Sequence, residues 1–179
     1  IYLDNDDGLA EDFAARLRAH RPAAPRSAIY LTEGLIRSGD GLYLRRDRDN
    51  AFCSVREPWD DPLTCWCDWH VLLGTHMATS EIAGAPAWLQ VVHGTNVSNR
   101  VRGALVDPTP FRARFPGLLD DLRPPGAGRR FADRAVRRPL REGRDAVRLG
   151  IKKGIMLVGG KAALERAKSA AKMRGRHAA

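Results

Sequence analysis

Cysteine is scarce in this chain, aromatic residues make up only 7%, and no apolar run is long. The three cysteines are an odd number without framework spacing. That excludes a disulfide-stapled scaffold and points to a reducing, cytoplasmic compartment. The apolar stretches fall short of the roughly 20 residues that a membrane-spanning helix requires. Acidic residues thin out towards the C-terminus: residues 129–179 hold 16 Lys or Arg against 4 Asp or Glu, whereas residues 1–128 hold 14 against 17. The formal charge of +9 therefore belongs to a tail, and the front of the chain is mildly acidic. A whole-protein nucleic-acid binder would not be charged in this way. The tail also offers only Phe131 for stacking on bases, so RNA is the weaker partner there. What remains is ordinary for a folded domain: 179 residues, 44% hydrophobic, enough for one domain with a real core and an appendage.

The acidic residues that are present crowd at the front. Ile1-Tyr2-Leu3-Asp4-Asn5-Asp6-Asp7-Gly8 reads as the end of a buried strand running into an acidic loop. Leu9, Phe13 and Leu17 recur every four residues, which predicts a helix from Leu9 to His20 with Glu11 and Asp12 in its first turn. Pro22 and Pro25 stop it. Carboxylates crowded at a strand end repel one another, and a hard divalent cation such as magnesium, manganese or calcium would relieve this. Such loops are also where open α/β sheets place their ligands. Ile1 already lies inside the apparent strand, so the expectation is a fragment whose earlier strands lie upstream.

Further along, Ala28 to Ile36 reads as a strand. Ser38-Gly39-Asp40-Gly41 is turn chemistry, and Leu42-Tyr43-Leu44 pairs back as a hairpin. Ala51 to Val55 is another short strand, so a mixed sheet is expected. Cys65, Cys67, His70 and His76 could bind zinc, but Cys65-Trp66-Cys67 is tighter than structural zinc spacing. The alternative is packing by aromatics and buried thiols. Thr75 to Ala83 is expected to be a helix, broken by Gly84-Ala85-Pro86. Trp88 to Val92 is rich in β formers and leads into His93-Gly94-Thr95-Asn96. A histidine after a buried strand and beside a glycine has the layout of a ligand-binding loop, or else bonds neighbouring backbone. Thr109-Pro110 opens a short helix with Phe111 and Phe115, and Leu118, Leu119 and Leu122 cover the flank. The expected organisation is a domain over 1–122, a Pro/Gly linker over 123–128 and a basic helical tail over 129–179. Basic charge interleaved with apolar residues suits a helix on an anionic membrane surface; the alternative is a solvated tail.

An Asp-x-Asp pattern alone has several possible homes. In haloacid-dehalogenase phosphatases it is followed directly by Gly, whereas Asp7 intervenes here. An EF-hand beginning at Asp4 would need an acidic or amide residue where Gly8 stands, Gly where Leu9 stands and Glu where Ala15 stands. The strand end Ile1-Tyr2-Leu3-Asp4-Asn5-Asp6 instead resembles the sugar-nucleotide site of glycosyltransferases with the GT-A fold. More narrowly, two blocks resemble a bacterial rhamnosyltransferase family. They are Leu3 to Leu9 with the helix through Phe13, and Trp88-Leu89-Gln90-Val91-Val92-His93-Gly94-Thr95-Asn96-Val97-Ser98-Asn99. The resemblance covers roughly residues 1–105 and leaves out the tail.

That resemblance implies an α/β fold, the C-terminal part of a GT-A-like mixed sheet with flanking helices. It implies transfer of a sugar from a nucleotide-sugar to a polysaccharide or glycolipid acceptor, assisted by manganese or magnesium. Asp4, Asp6 and His93 would face the metal, and Asp4, Asp7 and Asn96 the substrates. An inverting enzyme also needs a carboxylate base, for which Glu57, Asp60, Asp61 and Glu81 are the candidates. Trp88 could stack on a sugar or sit in the core. The Rossmann-like half that holds the base and ribose in such enzymes should precede Asp4. The expectation is therefore that this chain alone binds nucleotide-sugars weakly or not at all. The competing reading is a non-enzymatic module that binds anionic membrane or nucleic acid through its tail, with the acidic loop capping a helix.

Overall fold

The computed structural model describes residues 5–93, 100–147 and 150. The chain divides into two compact units, Ile1–Ala135 and Val136–Ala179. In the first unit, β1 (Gly8–Leu9) precedes helix α1 (Phe13–Ala19). Strands β2 (Ser27–Leu31), β3 (Glu33–Ser38), β4 (Gly41–Arg46) and β5 (Ser54–Arg56) follow. A 3-10 helix (His70–Thr75) leads to β6 (Ala78–Ile82), β7 (Trp88–Val91) and β8 (Ala104–Val106). The described strands form two mixed sheets, ordered β1-β7-β3-β4-β8 and β5-β2-β6. Within them β3 runs parallel to β7 and β2 parallel to β6. This is the α/β class with a mixed sheet that the hairpin and strand signals predict.

The stretch from Ala28 to Ile36 is not one strand. It crosses from one sheet to the other at Thr32, which is fully buried. The backbone of Thr32 stays satisfied: its N–H donates to Ile82 and its carbonyl accepts from Asp47. The Leu31 carbonyl is taken by side chains, Trp88 Nε1 at 2.9 Å and Asn50 Nδ2 at 3.0 Å. Across the bend the offset between parallel partners rises from 51 (Leu31 with Ile82) to 54 (Gly34 with Trp88), so the β6–β7 side carries three extra residues. The core on this side is Phe13, Leu31, Ile36, Phe52, Ala87 and Trp88, with Phe52 stacked on Trp88 at 4.9 Å. Trp88 is therefore a core residue.

Other sequence expectations change as well. Residues 75–83 are not a helix: Ala78–Ile82 forms β6, paired along its length with β2. β2 is buried throughout and needs a partner on each side, so tertiary pairing overrides the local preference. The first helix begins at Phe13 rather than Leu9, because Ala10 and Glu11 still donate outward, to the carbonyls of Ala87 and Arg114. Leu9 nevertheless packs beside Phe13 and Leu17, so the apolar face is as expected.

Past β8, a 3-10 helix (Thr109–Arg114) delivers Phe115, Leu119 and Leu122 onto the first sheet, where they pack with Leu35, Leu42 and Leu89. Helix α2 (Ala127–Ala132) and the π-helical turn Asp133–Arg137 come next. Arg129 grips Asp40 of the β3–β4 turn with two bonds at 2.5 and 2.7 Å, and the buried Asp133 carboxylate accepts the Leu105 N–H at 3.1 Å. These contacts place residues 129–135 in the first unit, past the linker expected at 123–128. In the second unit, residues 138–147 are helical and Arg138 pairs with Glu142 at 2.7 Å. Most of the basic tail, residues 151–179, lies outside the described residues, and among those described no helix is long and apolar enough to cross a membrane.

Candidate functional site

The acidic loop and the histidine meet at the end of β7. β1 pairs with β7 through Gly8 opposite Leu89 and Leu9 opposite Trp88, which brings the start of the chain alongside the strand that ends in His93. Beyond the ladder, His93 Nε2 and Asp6 Oδ2 stand 2.7 Å apart, though 87 residues separate them in sequence. Both side chains are partly open to solvent. Asp7, the next residue, turns the other way: its Oδ1 accepts the Val91 N–H at 2.9 Å. Asp4 and Asn96, also expected at the site, lie outside the described residues.

The scaffold beneath this pair is tightly packed. Gly34 faces the indole of Trp88 so closely that a Cβ would stand 2.0 Å from the ring. Gly8 is closed in by Leu118, 2.6 Å from the position of a Cβ. Arg114 ties Asp12 (2.6 Å) and the Pro86 carbonyl (3.1 Å) together, fixing the start of α1 to the approach of β7. β1 and β7 are thus anchored on the side away from the Asp6–His93 contact.

The carboxylates considered as a catalytic base do not join the pair. Glu57 accepts the N–H groups of Leu63 at 2.7 Å and Thr64 at 3.1 Å, closing a surface loop. Asp61 in that loop pairs with Arg26 at 2.6 Å, and Asp60 beside it is exposed. Glu81 on β6 pairs with Arg48 at 2.5 Å. All four belong to the β5-β2-β6 side of the unit. Glu57 follows β5, whose Arg56 pairs with Ser27 at the start of β2. His93 lies beyond the opposite end of the bent β2–β3 strand, where Val91 pairs with Arg37.

The zinc reading at Cys65, Cys67, His70 and His76 does not hold. Among the described residues no three His, Cys, Asp or Glu side chains gather to hold a metal ion. His76 instead faces Asp68 at 3.1 Å. Cys53 and Cys65 are buried with Tyr30, Leu73 and Met77, and Cys67 packs against them. Burial, reinforced by the neighbouring Cys65, pushes the Cys53 thiol up to about 11. It is an inert core thiol at neutral pH. Burial also holds His70 below the ordinary imidazole value, so it is neutral in the fold.

The donors at the β7 end suit a hard or borderline divalent ion. The Asp6 carboxylate and the His93 Nε2 share a hydrogen bond at 2.7 Å and are reachable from solvent; once the proton between them is released, both can face one ion. Two protein donors alone make an open site. In magnesium sites one or two carboxylates are commonly completed by substrate phosphates and water; Asp6 would be such a carboxylate, with His93 a nitrogen donor beside it.

No curated protein and no solved structure matches the chain. A family model described as "Putative rhamnosyl transferase" matches residues 1–105, more than half of the chain. The matched span ends within β8 and contains the acidic loop, Asp6, His93 and the strands that bring them together. On that match, the chain belongs to the putative rhamnosyl transferase family.

Proposed function

We propose that this chain carries the metal-binding site of a GT-A-type glycosyltransferase that moves a sugar from a nucleotide-sugar to a polysaccharide or glycolipid acceptor. The observation that carries this reading is the 2.7 Å approach of His93 to Asp6 inside the family match. Asp6 and His93 would hold manganese or magnesium, with Asp4 as a further ligand and Asn96 towards the substrate. The bound ion would neutralise the charge that develops on the departing nucleoside diphosphate. The protein's own part is to keep an oxygen and a nitrogen donor together at a rigid strand end, so that little ordering is left to do when the diphosphate arrives. The basic residues of 129–179 suit an anionic lipid surface that presents a lipid-linked acceptor.

Calorimetry with Mn2+, with and without UDP, tests the site. Binding is expected to tighten with the diphosphate, and to fall by about 10-fold or more in Asp6→Ala and His93→Ala, as loss of a ligand requires. Mn2+ binding that ignores both substitutions would overturn the assignment of these residues to a metal.

A further inference from the structure

We propose that Asp7 is a positioning residue: its carboxylate ends the β1–β7 ladder and thereby aims Asp6 at His93, without itself touching metal or sugar. The ladder supplies the argument. Ala10 donates to Ala87 at 2.9 Å, and Gly8 lies opposite Leu89. Hydrogen-bonded pairs in an antiparallel ladder recur every two residues on each strand. The next step on this register sets Asp6 opposite Val91, and the Val91 N–H would meet the Asp6 carbonyl. The structure places the Asp7 Oδ1 on that N–H instead, at 2.9 Å. The side chain has taken over the bond of the neighbouring backbone. The pairing stops one step early, and the loop is released while still tethered. Asp6 is then free to turn its Oδ2 to His93 at 2.7 Å, two residues past Val91. A continued ladder would hold the Asp6 backbone flat against β7. The adjacent carboxylates therefore divide the work: one is spent on the backbone, and the other is presented to solvent.

This rests on the reading of Asp6 and His93 as the ion-holding pair, and the test separates the two ideas. Nitrogen-15 NMR on the full chain without metal reads Val91 amide exchange and the His93 imidazole signals. Mn2+ with UDP is then the binding probe. Asp7→Ala is expected to speed Val91 exchange, move the His93 ring signals and weaken Mn2+ binding about 10- to 100-fold, the usual effect of losing a group that orients a ligand. Asp7→Asn keeps an acceptor oxygen for Val91 and is expected to restore all three. If Asp7→Ala does not fold, Asp7→Asn alone decides. Loss of Mn2+ binding in Asp7→Asn with Val91 still protected would show that the charge acts directly, and would overturn the proposal. So would an Asp7→Ala protein with unchanged Val91 exchange and His93 signals. If the parent protein fails to bind Mn2+, the NMR comparison still decides the role of Asp7.

Discussion

Gly34 and His70 show how single residues are constrained in this fold. The Trp88 indole covers Gly34, donates to the Leu31 carbonyl at 2.9 Å and stacks on Phe52. The indole is held on three sides, so it cannot retreat from a new methyl group. Gly34→Ala is expected to cost about 3 kcal/mol, the upper end for overpacking, read as a lower urea midpoint with an unchanged slope. His70 makes stability depend on pH. Its imidazole is held below the ordinary value of 6.5, chiefly by burial. The unfolded chain therefore binds the proton more readily than the folded one, and stability rises with pH in that window. The contribution is complete above about pH 6.5 and is lost as the pH falls through the lowered folded value. Urea titrations between pH 8 and 5 should show this loss, and His70→Asn should flatten it.

At the scale of elements, hydrogen bonds from side chains do what the short strands cannot do alone. β8 is three residues long and stands at an edge of its sheet. The buried Asp133 carboxylate, from the turn after α2, takes its Leu105 N–H at 3.1 Å. Asn50 plays the same part at the Thr32 bend, donating to Leu31 and to Asp47 and accepting from Phe52. Asp133→Ala would leave the Leu105 N–H without that acceptor, at an expected cost of about 1–3 kcal/mol. Asp133→Asn should keep most of the stability. Chemical denaturation of the two variants, with amide exchange at Leu105, distinguishes a lost hydrogen bond from a lost charge.

For the whole molecule, the boundary between units has a measurable consequence. The compact unit runs to Ala135, and Arg129 and Asp133 tie its last turns to Asp40 and Leu105. A chain ending at Leu122 stops before those contacts and is expected to melt at a lower temperature, with weakened protection in β8. A chain ending at Ala135 is expected to keep both the protection and the melting temperature of the first unit. Equal stability of the two shortened chains would return the boundary to residues 123–128.

Local chemistry was enough for several features. The β3–β4 hairpin follows from Ser38-Gly39-Asp40-Gly41, β7 from its β formers, and the apolar face of α1 from the spacing of Leu9, Phe13 and Leu17. The acidic loop and His93 could be singled out because carboxylate crowding and a histidine beside a glycine are local signals. Their meeting at 2.7 Å could not be deduced from either stretch, since it depends on which strand lies beside β1. Residues 75–83 show the same limit: expected as a helix from local pattern, they supply strand Ala78–Ile82 because buried β2 needs a second partner. Thr32-Glu33-Gly34 interrupts the apolar stretch from Ala28 to Ile36, but it is the cross-bonds of Trp88, Asn50 and Asp47 that show the chain changing sheet there. Local patterns report what a residue prefers. Pairing between distant strands decides which preferences are met, because each buried N–H and carbonyl must find a partner wherever the chain can supply one.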